Sequence, residues 1–218
     1  MSDGQGFPAV SDGAAGERRE QILAAAWVAL TEAGFENITT RRLAEAAGVN
    51  IATLHYYFGN KEALLTETLR YAQRWAEARM RAAVAPARTA GEAMERAVAV
   101  TWELMASRPG ILRFDLAVRG FRDADARREA AAVYGAYRGF VREIVEWHVR
   151  DGGAIRDGLA SDELAHYVVC MVDGILLHHT LDGDDRAARR NLSSMGRQIF
   201  EMLGLPPAQA AIGAILIL

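Results

Sequence analysis

The 218-residue sequence contains one cysteine, one lysine and five prolines. A single Cys170 cannot close an intrachain disulfide, and its setting in "HYVVCMVDG" predicts a buried small hydrophobe in a protein of the reducing cytoplasm. No run of about 18 apolar residues occurs, so no membrane partner is expected. The opening "MSDGQGFPAVSDGAAGERRE" lacks the charged and apolar regions of a secretory signal, and residues 1–16 read as a disordered leader. A formal net charge of -3 argues against a generic polyanion coat, so any contact with nucleic acid has to be local and geometric. Every basic side chain other than Lys61 is arginine, a pattern that fits genomic base composition.

Stretches of alternating apolar and polar residues are also missing, whereas helical periodicity runs from Glu17 to Gly204. The fold class is all-α. Ile22, Ala26 and Leu30 mark one face of a first helix over 17–33, closed by Gly34 and a hydrophobic Phe35. Thr39 or Thr40 caps a second helix that stops at Gly48, Asn50 caps a third, and Asn60 a fourth. Later breaks fall near Pro86, at Arg108-Pro109-Gly110, at Gly120, at Asp151-Gly152-Gly153 and at Asp182-Gly183-Asp184, the last reading as a turn with a helix N-cap. The divisions expected are a small domain over 17–65, a larger one over 66–205, and a tail over 206–218 of unassigned role.

The stretch "TTRRLAEAAGVNIATLHYYFGNKEALL" is the most informative. Ala44 is small where two helices would cross, Gly48 suits a left-handed turn, and Val49, Leu54 and Phe58 supply an apolar seam. With Leu54 and Phe58 inward, Ile51, Ala52, Thr53, His55, Tyr56 and Tyr57 are left for the outer face and flanks, on a helix small enough for a major groove. Thr40, Arg41 and Lys61 sit at helix starts, where phosphates are favoured. Taken alone, aromatics at this spacing are usually core, the flanking pattern favours a DNA-reading role for Thr53 and Tyr56, and Tyr57 is equally open to being partly packed.

The segment "ITTRRLAEAAGVNIATLHYYFGNKEALL" closely resembles the DNA-binding signature of the TetR family of bacterial transcriptional regulators. That resemblance implies an N-terminal three-helix, helix-turn-helix DNA-binding domain followed by a larger helical domain for ligand binding and dimerisation. It also implies that Thr40, Arg41, Ile51, Ala52, Thr53, His55, Tyr56, Tyr57 and Lys61 occupy the positions that touch DNA. Two positions depart from the family pattern: His55 stands where tyrosine is common, and Ala52 where glycine is common.

The expected function is sequence-specific DNA binding by a homodimer, as a repressor released from a palindromic double-stranded operator by a small, largely apolar effector. An activator or ligand-independent binder is the alternative. The candidate ligand residues are Trp75, Trp102, Met105, Phe114, Phe121, Tyr134 and Tyr137, with Arg79, Arg113 and His148 available to orient a polar end; ordinary core packing competes for each. Leu164, Val168, Met171, Ile175, Ile199 and Leu203 are apolar rows suited to a four-helix dimer interface, or to the monomer's own core. A helical enzyme would rest on His166, Cys170, Asp173, His178 and His179, but these lack the spacing of a HExxH-type site, so no metal, cofactor or catalytic residue is expected.

Overall fold

In a computed structural model of the chain, residues 13–105 and 109–206 are described. They form α1 (Ala14–Asn37), α2 (Thr40–Ala46), α3 (Ile51–Phe58), α4 (Lys61–Val84), α5 (Ala90–Met105), α6 (Pro109–Gly120), α7 (Ala124–Arg150), a 3-10 turn at Arg156–Gly158, α8 (Ser161–Asp182) and α9 (Asp185–Met202), with no strand among the described residues. The leader expected over 1–16 falls largely outside the described residues. Helix α1 already begins at Ala14, where the Gly13 carbonyl accepts from the Gly16 and Glu17 amides; Ala14, Ala15 and Gly16 carry no apolar stripe for periodicity to detect. Of the expected tail, residues 207–218 lie outside the described residues.

Two compact units divide the described chain. The first runs to Ala76 and includes Ile111–Glu129; the second holds Glu77–Gly110 and the chain from Ala130. The division therefore falls inside α4 and not at residue 65. Packing explains the difference: Tyr71 and Trp75 of α4 stack on Trp27 of α1 with ring centroids 6.0 and 5.0 Å apart, which keeps more turns of α4 with the first unit. Arg119 over the Phe35 ring at 4.9 Å and the Arg70–Glu129 ion pair at 2.6 Å tie 111–129 to the same unit.

In the first unit Ile22, Ala26 and Leu30 are fully buried along α1. Gly34 interrupts α1 with φ +72°, a backbone that L side chains rarely adopt, and turns the chain so that Phe35 and Ile38 are buried. Thr68, fully buried, is satisfied by donating to the Leu64 carbonyl at 2.8 Å.

In the second unit α9 packs against both α8 and α5. Ala188, Leu192, Met195 and Ile199 of α9 are buried, while Arg190, Asn191, Arg197 and Gln198 are exposed. Asp184 caps α9 by accepting from the Ala187 amide at 2.9 Å, as the turn residues predict. Leu164, Val168, Ile175, Ile199 and Leu203, the rows suited to a dimer face, are buried within this unit and serve as its core. Cys170 departs from expectation in the opposite direction: it is exposed, on an outward row of α8 with Tyr167, Gly174, Leu177 and Leu181. By length and composition α8 is apolar enough to cross a membrane, at mean hydropathy 1.3. Counting uninterrupted apolar residues misses it, because Glu163, His166 and Asp173 break the run.

Candidate nucleic-acid interface

Local capping chemistry builds the reading head. Thr39 is the N-cap of α2, its hydroxyl accepting from the Arg42 amide at 3.2 Å, which leaves Thr40 as the first helical residue. The helix is closed by the Val49 amide donating back to the Ala44 carbonyl at 3.0 Å, a wrap that needs Gly48 at φ +61°. Ala44 is buried where α2 meets α1, and Leu43, Leu54 and Phe58 are buried with it; Val49 is half-buried.

Asn50 then starts α3. Its side-chain oxygen accepts from both the Thr53 amide at 2.8 Å and the Thr53 hydroxyl at 2.9 Å. One acceptor thus caps the helix and holds the Thr53 side chain. With Leu54 and Phe58 turned inward, Ile51, Ala52, His55 and Tyr56 are exposed, Tyr56 to 84%, and Thr53 and Tyr57 are half-buried. Tyr57 stands edge-on to Tyr56 at 5.2 Å and tilts over Phe58 at 6.2 Å, so it shares the packing of the seam as well as the rim of the exposed face.

Gly59 ends α3 at φ +77°, and Asn60 caps α4 by accepting from the Ala63 amide at 2.8 Å. Lys61 is the first residue of α4, half-buried and without an ion-pair partner among the described residues. The His55 ring approaches the Gly59 carbonyl with its Nδ1 at 2.6 Å. A carbonyl can only accept, so Nδ1 donates to it and the contact fixes the ring at the end of α3. Arg41 donates to Glu45 at 2.9 Å across one helical turn, both side chains being well exposed. Such a pair is worth about 0.3–0.5 kcal/mol and yields readily to a phosphate. Arg42 lies 3.8 Å from Glu32.

Sequence reasoning passed over Arg19. Its guanidinium sits 5.0 Å from the Phe58 ring centroid and pairs with Glu67, holding α1 against the end of α3 and the start of α4. The only signal for it was a basic pair, Arg18-Arg19, at the start of α1.

The candidate ligand residues divide between the units. In the first, Trp75 stacks on Trp27, Phe114 is half-buried with the Arg113 guanidinium 5.6 Å from its ring, and Phe121 is 79% exposed in the turn after α6. Phe121 is therefore surface and not a cavity wall. In the second, Trp102 is buried under the Arg189 guanidinium at 4.3 Å and beside the His179 ring at 5.7 Å, and Tyr134 and Tyr137 are half-buried on α7. The Met105 side chain lies outside the described residues. Arg79 is engaged with Glu103 at 2.5 Å. Among the described residues no group of three or more His, Cys, Asp and Glu is placed to hold a metal ion. His166, Cys170 and His178 are exposed, and His179 lies 3.5 Å from Asp185.

A capped, eight-residue helix held by a left-handed glycine turn, its outer face bare and polar groups at the flanking helix starts, is a helix-turn-helix DNA-binding head. Residues 22–68 match the family described as "Bacterial regulatory proteins, tetR family". These residues, which run from within α1 through α2 and α3 to the start of α4, thus form a DNA-binding domain of the TetR-family type. The chain is 40% identical over 53 residues to the HTH-type transcriptional regulator BetI 2 of Chromohalobacter salexigens, a match covering 24% of this chain and 26% of that protein. The chain thus spans about a quarter of that relative's length. A TetR-family transcriptional regulator from Rhodococcus sp. superposes with TM-score 0.74 at 19% identity, over 86% of this chain and 98% of the other. A transcriptional regulator from Saccharomonospora viridis, solved in complex with choline, superposes with TM-score 0.71 at 21% identity, over 85% and 96%. At such identities the structural likeness shows the fold. The relatives are named as transcriptional regulators and not as enzymes.

Proposed function

We propose that the protein is a cytoplasmic, TetR-type transcriptional regulator that binds double-stranded DNA as a homodimer, acting as a repressor released from a palindromic operator by a small molecule. One observation carries the DNA-binding reading: Asn50, Gly48 and Gly59 fix α3 so that Ile51, Ala52, His55 and Tyr56 are exposed together while Leu54 and Phe58 anchor the opposite side. In this reading Thr53 and Tyr56 meet base edges. Ile51 and Ala52 make apolar contacts such as with a thymine methyl, and Tyr57 supports the rim. Thr40, Arg41, His55 and Lys61 hold phosphates.

Affinity and the exposed row of α8 support the dimer. One head reads only a few base pairs, whereas specific regulators reach about 10⁻⁸ to 10⁻¹¹ M, which calls for two heads on successive major grooves about 34 Å apart. Tyr167, Cys170, Gly174, Leu177 and Leu181 form an exposed row at alternating spacings of three and four residues, the pattern of a seam between packed helices. Gly174 permits close approach at its centre. A two-fold axis through this row would match α8 with its own copy.

Release by a ligand rests on linkage: coupling of about 1–3 kcal/mol changes operator affinity about 5- to 150-fold. The choline complex of the Saccharomonospora viridis protein supports a small-molecule effector in this fold. The test is a mobility shift on DNA flanking the protein's own gene, or on operators chosen by selection. Tyr56→Ala should abolish specific binding with an unchanged circular-dichroism melt, and unaltered binding by this variant removes α3 from the mechanism.

A further inference from the structure

The first turn of α3 holds Ile51, Ala52 and Thr53, and of these only Thr53 has a side chain that can hydrogen-bond. The whole helix contains no arginine, lysine, asparagine, glutamine or carboxylate, so the side chains that read a base edge through two parallel bonds are missing from it. Asn50, at its N-cap, is no substitute. Asparagine reads adenine with its carbonyl as acceptor, and both acceptor positions of Asn50 Oδ1 are occupied, by the Thr53 amide at 2.8 Å and the Thr53 hydroxyl at 2.9 Å. Base discrimination beneath this turn therefore falls to one hydroxyl and to the exposed apolar surface of Ile51 and Ala52.

Asn50 also decides which way that hydroxyl acts. The Thr53 amide is a donor, so the Asn50 atom it meets is the carbonyl oxygen, and a carbonyl oxygen can only accept. The single hydrogen of the Thr53 hydroxyl is thus spent on Asn50, and what Oγ1 has left for DNA is its lone pairs. In the major groove an acceptor is matched by the exocyclic amine of adenine or cytosine, and is opposed by O6 and N7 of guanine and by O4 of thymine. To donate to one of those, the hydroxyl would have to leave Asn50, exchanging one bond for another. An amine adds a bond to those already present. The neighbours choose between the two amines: an A·T pair sets the thymine methyl beside the adenine amine, which suits Ile51 and Ala52, whereas a C·G pair has no methyl.

We infer, resting on the DNA-binding role proposed above, that Thr53 is the specificity-determining residue of this turn and reads adenine in an A·T pair, Oγ1 accepting from the N6 amine while its own hydrogen stays on Asn50. The full chain would select duplexes from a library randomised over about 20 base pairs, two helical turns, and the selection would be repeated with Thr53→Val. The position read by Thr53 is the one at which the two selections differ, and the wild type should hold adenine there. The selected duplex then serves as the probe in fluorescence anisotropy. Replacing that adenine by purine in both half-sites removes the N6 amine and should weaken wild-type binding about tenfold, one hydrogen bond per half-site. Because this arm uses wild-type protein, no folding defect enters it.

Thr53→Val should bind the adenine and purine duplexes alike, and Thr53→Ser, which keeps the hydroxyl, should retain the wild-type difference. The weaker purine·T pairing is common to every variant and cancels in the comparison. Asn50→Ala frees the hydroxyl hydrogen and should narrow the preference for adenine over guanine at this position, while Asn50→Asp should keep it. Selections that agree at every position, cytosine, guanine or thymine at the position that differs, equal wild-type binding of both duplexes, a purine effect that persists in Thr53→Val, or an unchanged preference in Asn50→Ala would each overturn the assignment while leaving DNA binding intact. Failure of the wild type to select any duplex would overturn the DNA-binding role as well.

Discussion

Asn50 offers a sharp test of how the reading head is held. Its side-chain oxygen carries two bonds, to the Thr53 amide and the Thr53 hydroxyl, at the start of a helix of only eight residues. Removing an N-cap of this type costs about 1 kcal/mol, within a range of roughly 0.5–2. The Thr53 hydroxyl, half-buried and free to turn to water, adds little to that. Asn50→Ala should therefore destabilise the first unit by about 1 kcal/mol, or about 2–4 °C for a chain of this length, in thermal or urea unfolding followed by circular dichroism. Asn50→Asp keeps an oxygen acceptor with favourable charge at the helix start, so it should unfold like the wild type. Operator binding separates the two variants further. Asn50→Ala frees the Thr53 rotamer and should blur base preference, whereas Asn50→Asp should weaken binding to all sequences by placing a negative charge on the DNA-facing side. The argument fails if Asn50→Ala melts with the wild type, or if Asn50→Asp is the less stable of the pair.

Lys61→Ala should weaken binding to all operators alike and flatten the dependence of log affinity on log salt by up to about one unit; a changed operator preference at constant slope would refute its assignment to phosphate. Leu177→Glu with Leu181→Glu should leave folded monomers in analytical ultracentrifugation, since both side chains are exposed in the single chain; an intact dimer would place the interface elsewhere. Burial raises the pKa of Asp115, aided by the nearby Glu36 carboxylate. A raised folded-state pKa gives stability that is fully present below the unfolded value and lost as pH rises through the folded one. Asp115→Asn should thus be more stable than wild type at neutral pH, by less than about 1 kcal/mol because the group is partly solvated, and the difference should vanish on acidification.

The reading head was legible because its instructions are local. Thr39, Asn50 and Asn60 each cap a helix within three residues of themselves, and Gly34, Gly48 and Gly59 take the positive-φ turns their positions demand. Features set by residues distant in sequence were not legible. Trp75 looked available to a ligand because its partner Trp27 lies 48 positions earlier. The unit boundary left no compositional trace, since α4 runs through it as one uninterrupted helix. Helix α8 shows the deeper ambiguity. It is apolar over most of its circumference, so Leu164, Val168 and Ile175 form one plausible row and Tyr167, Cys170, Leu177 and Leu181 another, and periodicity alone gives no preference between them. The amphipathic α9 decides which row is buried: having one apolar face to cover, it closes on the first row and leaves the second open. That second row mixes a tyrosine, a cysteine, a glycine and two leucines, less uniformly apolar than the core row behind it. Such a mixed surface suits the proposed dimer, in which the row meets water in the single chain and its own copy after folding.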